Sequence, residues 1–383
     1  MKKKIYLDYA ATTPVDPRVV RSMLPFLSKK FGNTMSLHSF GQDAKNALDQ
    51  SRSIVAKLIN AKADEIIFTS SATESNNTAL KGVAFTNSNK GKQIIISSIE
   101  HPCIMESAEW LEKQGFEITR LPVDKHGMIN PEDVRKAIKS ETILVSVIHA
   151  SNEIGAIQPI EEIGKICRQK GIYFHTDASQ SFGKILIYVK KMNIDLLTAS
   201  SHKIYGPKGA GLLFVRQGVK IEPLLHGGGQ EKGLRGGTVN IPAIVGFAKA
   251  AEICQKNMAK EEKRLSKLKQ KLVNGLLKIK GSHLNGSLEN SLPNILNIRF
   301  DFTEGESLVF QLDSYGISCS TGSACSSTSL EPSHVLLAIG LKPQEAHGFL
   351  RISLGRFTKQ SDIDYLLKVL PKVVKKIRLM SPF

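Results

Sequence analysis

Apolar residues in this chain fall into short runs separated by longer stretches of helical spacing. Glu65 to Thr69, Gln93 to Ser97, Phe116 to Arg120, Thr142 to Ile148, Tyr173 to His175, Ile194 to Leu197 and Leu212 to Val215 read as strands. Between them, helices are predicted from Asp16 to about Phe26, from Gln42 to Leu58, after Ser71 toward Phe85, after His101 to Gln114, from Glu132 to Ile138 and from Ile160 to Lys170. Asp16 followed by Pro17 is a strong helix start, because the carboxylate accepts an orphan N–H and proline needs none. Strand and helix patterns in alternation predict an α/β architecture with a mostly parallel central sheet covered by helices.

The last third changes rhythm. A long lysine-rich helix is predicted from about Pro242 to near Lys280, with Leu265, Leu268, Leu272 and Leu276 on its apolar side. The polar stretch Gly281 to Ser291 reads as a boundary. After it come a strand (Asn294 to Phe300), a helix (Glu304 to Tyr315), a loop (Ile317 to Ser329), a helix (Glu331 to Ile339), a strand (Phe349 to Leu354) and a closing helix (Ser361 to Arg378). That order predicts a smaller C-terminal α+β domain, joined through the long helix.

Composition narrows the class. The chain has 383 residues, 41% of them hydrophobic, enough for a large core and a second small one. No apolar run approaches the roughly 20 residues that span a bilayer, and the start MKKKIYLDYA has no apolar leader segment, so a cytoplasmic protein without a membrane span is expected. Five cysteines, an odd number in a long chain, argue against a disulfide framework and for a reducing compartment. The formal charge of +17 fits a solvated lysine-rich surface or an acidic partner. No zinc-finger, RNP or helix-turn-helix pattern accompanies it, so direct sequence-specific reading of nucleic acid is not expected.

Candidate chemistry gathers just past the strand ends, the edge at which open α/β sheets bind ligands. Thr73 lies in a polar strand-to-helix turn that lacks the P-loop and dinucleotide glycine patterns. His101, Asn152, Asp177, Gln180 and Lys203 follow other strands in the same way. An amine at Lys203 and a carboxylate at Asp177, 26 residues earlier, are what a pyridoxal cofactor needs: one bonds its aldehyde, the other keeps the ring nitrogen protonated. His101 is placed to stack on the ring and move protons. Thr73, Ser200 and His202 are donors for its phosphate, and Asn152 and Gln180 for its ring oxygen.

With these residues in view, the chain resembles the cysteine desulfurases, pyridoxal-5'-phosphate-dependent enzymes of the class V aminotransferase group. The resemblance runs through YLDYAATTPVDP, EIIFTSSATESNN, SIEHPC, SNEIGAIQPI, HTDASQSFGK, SSHKIYGPKGAG, HGGGQEKGLRGGT, STGSACSS and LRISLGR, over essentially the whole chain. It implies the type I pyridoxal-phosphate-dependent transferase fold and a homodimer with active sites near the interface. It also implies a large cofactor-binding domain (15–255) and a small domain (1–14 with 256–383). By the same resemblance Lys203 bonds the cofactor, Asp177 and Gln180 hold its ring, and His101 stacks as acid–base. Thr73, Ser200 and His202 bind its phosphate, with Thr238 reaching in from the other subunit, and Ala72 also contacts the cofactor. Asn33, Asn152 and Arg351 lie near the substrate carboxylate, and Cys325 is the nucleophile that takes sulfur from L-cysteine, leaving L-alanine.

Tyr9, Thr34-Met35, Ser71, Ser151 and Gly236 depart from residues the family often carries, but none removes a group assigned to bond chemistry. A metal set of Cys319, Cys325 and His334 is set aside, because the chemistry needs Cys325 free. The long Cys325 loop resembles the iron–sulfur-assembly branch, and the chain ends at Ser381-Pro382-Phe383. Both an iron–sulfur scaffold and a tRNA-thiolating enzyme therefore stand as sulfur acceptors. A selenocysteine lyase or other class V lyase, and a non-enzymatic sulfur-trafficking partner, are the rival readings.

Overall fold

The computed structural model describes residues 4–322 and 332–380. In chain order its elements are β1 (Ile5–Tyr6), α1 (Pro17–Ser28), α2 (Ser39–Leu58), β2 (Ile66–Thr69), α3 (Ala72–Asn87), β3 (Gln93–Ser97), α4 (Pro102–Lys113), β4 (Glu117–Leu121), α5 (Pro131–Ala137), β5 (Thr142–Ser146), α6 (Ile160–Lys170), β6 (Tyr173–Asp177), β7 (Leu196–Ser200) and β8 (Gly211–Val215). There follow α7 (Ile241–Leu276), β9 (Ser282–Asn285), β10 (Ile295–Phe300), α8 (Gly305–Ser314), β11 (Ile317–Ser318), α9 (His334–Ala338), β12 (Phe349–Ser353) and α10 (Gln360–Met380).

A seven-stranded sheet has the order β2-β8-β7-β6-β5-β3-β4. Only β8 runs against its neighbours; every other adjacent pair in this sheet is parallel. The reason is connection length: the chain returns from β7 to β8 over 201–210, too short for a parallel crossover. That short return carries Lys203. All residues of β2, β3, β5, β7 and β8 are buried, which explains why these strands read as continuous apolar runs. One face packs Phe174, Phe182 and Phe214 with Leu48 of α2 and Phe247 of α7, and the other packs Ile94, Ile96 and Leu213 with Leu80 of α3 and Leu111 of α4.

A second core joins Ile5 and Leu7 to Leu268 and Leu272 of α7, Ile298 of β10, Leu308 of α8, Ile352 of β12 and Leu370 of α10. Here β12, β10 and β9 form an antiparallel sheet, and β1 pairs with β11 in parallel. Helix α7, 36 residues and hence about 54 Å long, supplies apolar residues to both cores. It ends at Leu276, before the predicted stop near Lys280, and the chain turns into β9. Strand β9 lies inside the stretch read as a polar boundary. It was illegible because its sequence is polar and Asn285 is held by a side-chain bond from its Nδ2 to Asn297 Oδ1 (2.7 Å). Strands β1 and β11, two residues each, exist only through their mutual pairing. Tyr9 lies where residue 355 must be glycine: a Cβ there would come within 2.2 Å of its ring.

Candidate active site

The parallel strands place their C-terminal ends on one edge of the sheet, so the residues that follow them meet in one crevice. Asp177 closes β6 and is buried. Its Oδ2 accepts from Asn76 Nδ2 (2.7 Å) and its Oδ1 from the Ser179 N–H (2.8 Å). Beneath it, His175 lies between Ser146 Oγ (2.8 Å) and Thr198 Oγ1 (3.2 Å), and burial pushes its pKa down to about 4. A neutral imidazole therefore underlies the carboxylate.

Lys203 ends a single 3₁₀ turn, Ser201–Lys203, directly after β7. Its Nζ donates to the carbonyls of Ala10 (2.6 Å) and Ala11 (2.9 Å), so the segment before α1 crosses the crevice and holds the amine. Gln180 Nε2 donates to the same Ala10 carbonyl (2.9 Å), and its Oε1 accepts from Lys184 Nζ (3.2 Å). Burial, followed by the charge of Lys203, brings the Lys184 pKa down to about 7. Ser200 is buried, and His202 Nδ1 lies 3.1 Å from Thr12 Oγ1. Burial and then the nearby lysines push the His202 pKa down to about 4, so the ring is neutral near pH 7.

His101 caps α4: its Nδ1 accepts from the Cys103 N–H (3.3 Å) and lies 3.0 Å from Cys103 Sγ. Burial lowers its pKa, against the opposing pull of Asp177. Glu100, just before it, takes Ser97 Oγ (2.6 Å) and the Ile148 N–H (2.7 Å) on one oxygen, and burial lifts its pKa to about 8. Ala72 and Thr73 begin α3, whose first N–H groups and positive dipole end face outward at this edge, with Ser71 as cap.

Across the crevice, Arg351 of β12 is buried. Its Nη2 meets Asp8 Oδ1 (2.9 Å), and its Nη1 donates to the carbonyls of Asn152 (3.1 Å) and Gly322 (3.0 Å). Arg351 thus ties together the N-terminal segment, the loop after β5 and the root of the segment carrying Cys325. Cys325 itself lies outside the described residues. Two predicted residues are not brought into the crevice by a single chain. Asn33 is exposed and accepts the Met35 N–H on its own side chain (3.0 Å), and Thr238 is exposed on the loop before α7. Cys319, the neighbour of Cys325 in sequence, is buried and free.

Sequence reading missed Asn76, Lys184, Glu100 and Asp8 as members of the site. The signals were present: Asn76 falls one helical turn past Thr73, Lys184 four residues past Gln180, and Glu100 directly before His101. The donor set fits pyridoxal phosphate: an amine held on carbonyls, a buried carboxylate with donors on both oxygens, a neutral imidazole and a helix N-terminus. Buried oxygens at Asn76 Oδ1, Ser179 Oγ and Ser201 Oγ have no partner among the described residues, which leaves polar capacity beside the carboxylate and the lysine turn.

Comparison with known proteins gives the same answer from another direction. Residues 5–366 match the pattern of the family "Aminotransferase class-V". The "Cysteine desulfurase IscS" of Methanosarcina thermophila is 51% identical over 380 residues, 99% of this chain and 94% of that protein. A solved structure described as "NIFS-LIKE PROTEIN" superposes with a TM-score of 0.92 at 40% identity, over 98% of this chain and all of that one. Another, "SspA in complex with cysteine", gives 0.82 at 41% identity, over 93% of this chain and all of that one.

Proposed function

This chain belongs to the class V aminotransferase family and, within it, to the cysteine desulfurases, and on that premise we propose how its residues divide the work. The enzyme converts L-cysteine to L-alanine and passes the sulfur on as persulfide. Its fold is that of the type I pyridoxal-phosphate enzymes. Pyridoxal phosphate, the cofactor this membership implies, supplies an electron sink that loosens the bond from the substrate's carbon to sulfur.

Lys203 Nζ would be the amine that holds the cofactor aldehyde, and it is the base placed to take the substrate's α proton. The Ala10 and Ala11 carbonyls hold that amine in the crevice. Asp177, with Asn76 and the Ser179 N–H fixing both its oxygens, would hold the pyridine nitrogen and favour its protonated form. His101 would stack on the ring and move protons through its neutral imidazole. Gln180 and Asn152 would meet the ring oxygen, Thr73, Ser200 and His202 the phosphate, and Ala72 would also contact the cofactor. Arg351, with Asn152 and Asn33, receives the substrate carboxylate. The Cys325 thiolate attacks the substrate sulfur: the carbon–sulfur bond breaks, a sulfur–sulfur bond forms on Cys325, and the carbon fragment gains a proton to leave as alanine.

The observation that carries this reading is the convergence of Lys203, Asp177 and His101 on one sheet edge with Arg351 opposite. A second copy of the chain completes the site in this reading, because Leu27, Phe31, Met35 and Leu37 (90% exposed), close to Asn33 in the sequence, leave apolar surface uncovered. The acceptor is a protein of iron–sulfur assembly or tRNA thiolation. The test is turnover of L-cysteine, followed as alanine and as sulfur bound to protein. Lys203→Ala is expected to lower alanine formation by about 10³-fold or more, and Cys325→Ser to abolish persulfide transfer. Full persulfide transfer by Cys325→Ser, or multiple turnovers by Lys203→Ala, would overturn the assignments.

A further inference from the structure

A continuous line of polar contacts joins Asp177 to His101 through Asn76 and Cys103, and Cys103 has no role in the proposed chemistry. Asn76, on α3, has two hydrogens on Nδ2. One points at Asp177 Oδ2 (2.7 Å), and the other is within reach of Cys103 Sγ (3.1 Å). The orientation of this amide is fixed by the carboxylate, since a flipped Asn76 would set its oxygen against Asp177. Cys103 Sγ therefore receives a hydrogen from Asn76. Burial keeps the thiol protonated, its pKa pushed up to about 12, so the sulfur also has a hydrogen to give. The acceptor 3.0 Å away is His101 Nδ1. That nitrogen already accepts the Cys103 backbone N–H (3.3 Å), which can only donate.

We propose that Cys103 is a positioning residue for the acid–base histidine: held by Asn76, its thiol donates to His101 Nδ1 and keeps the ring neutral with its proton on Nε2. Two donors converge on Nδ1, from the backbone and the thiol of the same residue. Protonating Nδ1 would turn the backbone contact repulsive and force the thiol to give up its donor role, so the arrangement favours the uncharged ring. It also selects the tautomer, leaving Nε2 as the only nitrogen from which His101 gives a proton. Asn76 gives the line a second effect. It donates to the carboxylate at one end and polarises the thiol at the other, so the states of Asp177 and His101 are coupled through two side chains rather than through space alone.

The charges facing His101 come from several elements. Asp177 of β6 raises its affinity for a proton, whereas Lys203 after β7, His334 of α9 and Arg351 of β12 lower it. These remain in place when Cys103 is changed, so substitution isolates the thiol. The inference rests on the catalytic role given to His101, but its test does not depend on turnover. Full-length protein, as purified with its cofactor, is labelled at histidine and titrated by NMR, with His101→Gln used to assign the resonance. Cys103→Ala is expected to raise the His101 pKa by about 0.7 unit, the worth of one neutral hydrogen bond. Cys103→Ser, which keeps a donor, is expected to restore most of that shift and to retain the proton on Nε2. The rising limb of the kcat/KM pH profile should move by the same amount in Cys103→Ala.

A His101 that titrates alike in wild type and Cys103→Ala overturns the proposal, as does a ring protonated on Nδ1 in its neutral form. If Cys103→Ala does not fold, the Cys103→Ser protein carries the tautomer test alone. A shifted His101 titration in a protein that does not turn over cysteine would strike the proposed function and leave this inference standing.

Discussion

The two walls of the crevice are held in different ways. On the sheet-edge wall each reactive group has fixed partners from the same chain: Asp177 between Asn76 and the Ser179 N–H, Lys203 on two carbonyls, His101 on Cys103. Its members follow strands whose residues are almost all buried, so their positions are set by the stiffest part of the protein. On the other wall, among the described residues, Arg351 alone is built in to that degree, and Asn33 and Thr238, predicted for the same site, stand exposed on loops outside the crevice. The groups proposed to hold the cofactor are thus placed by one chain folding alone. The groups proposed to complete the binding pocket are left exposed.

The sheet-edge wall can be broken most severely at Asp177. Asp177→Asn keeps the volume but removes the charge, and sets an amide against the donors of Asn76 and Ser179. A fall of about 10²- to 10³-fold in kcat is expected, comparable to losing one preorganised electrostatic partner. KM for cysteine should change little, because Arg351 and its Asp8 contact are untouched. A large rise in KM with kcat retained would mean that Asp177 serves binding rather than chemistry.

The same contrast explains what could be read in the sequence. The strand-end residues were legible because buried parallel strands leave long apolar runs, and the chemistry follows each run at a fixed place. Lys203 after Leu196–Ser200 and Asp177 at the end of Tyr173–Asp177 are the clearest cases. What the sequence hid depends on pairing across distance. The Ala10 and Ala11 carbonyls under Lys203, the Lys184 contact to Gln180 and the line from Asn76 to Cys103 have no local pattern to announce them. Strand β9 was hidden for a related reason: its polar residues are satisfied by β10, and nothing in 281–291 alone favours a strand. Asn33 and Thr238 were found only through resemblance, and a single chain gives neither a place in the crevice.

The loop wall should respond more mildly and in a way that depends on a second copy. Asn33→Ala is expected to lower kcat/KM by about tenfold, the loss of one hydrogen bond to a charged group. Thr238→Ala should weaken cofactor retention while leaving the monomer's fold unchanged, since the side chain is exposed. If Thr238 reaches the site of a partner, mixing Thr238→Ala with Lys203→Ala should regenerate one intact site per mixed dimer. Absence of such complementation would place Thr238 outside the site and confine the chemistry to one chain.

The smallest effect on turnover concerns what keeps the walls in register. Asp16 caps α1 on the first core by accepting the Arg18 N–H (2.9 Å), and its other oxygen accepts from Arg356 Nη1 (2.8 Å), which follows β12 on the second core. Arg356 also stacks on Tyr205, 4.1 Å from the ring centre, two residues past Lys203. The bonds from Arg18, aided by Arg356 and opposed by burial, hold the Asp16 pKa well below the usual carboxylate value. A carboxyl whose folded pKa is depressed adds stability that is present above its unfolded pKa, about 3.9, and is lost as pH falls through the folded value. Asp16→Asn preserves the cap, because asparagine serves α1 as well as aspartate does. It removes the ionic part only and should cost about 1–3 kcal/mol at pH 7. The gap between wild type and variant, followed as urea midpoints, should hold from pH 7 to about 5 and narrow progressively below about 4. Activity at pH 7 should fall less than threefold, because both walls survive and only their tether is weaker. A gap that stays constant down to pH 3 would assign the cost to helix capping, and the two cores would then be held together by α7 and apolar packing rather than by this ion pair.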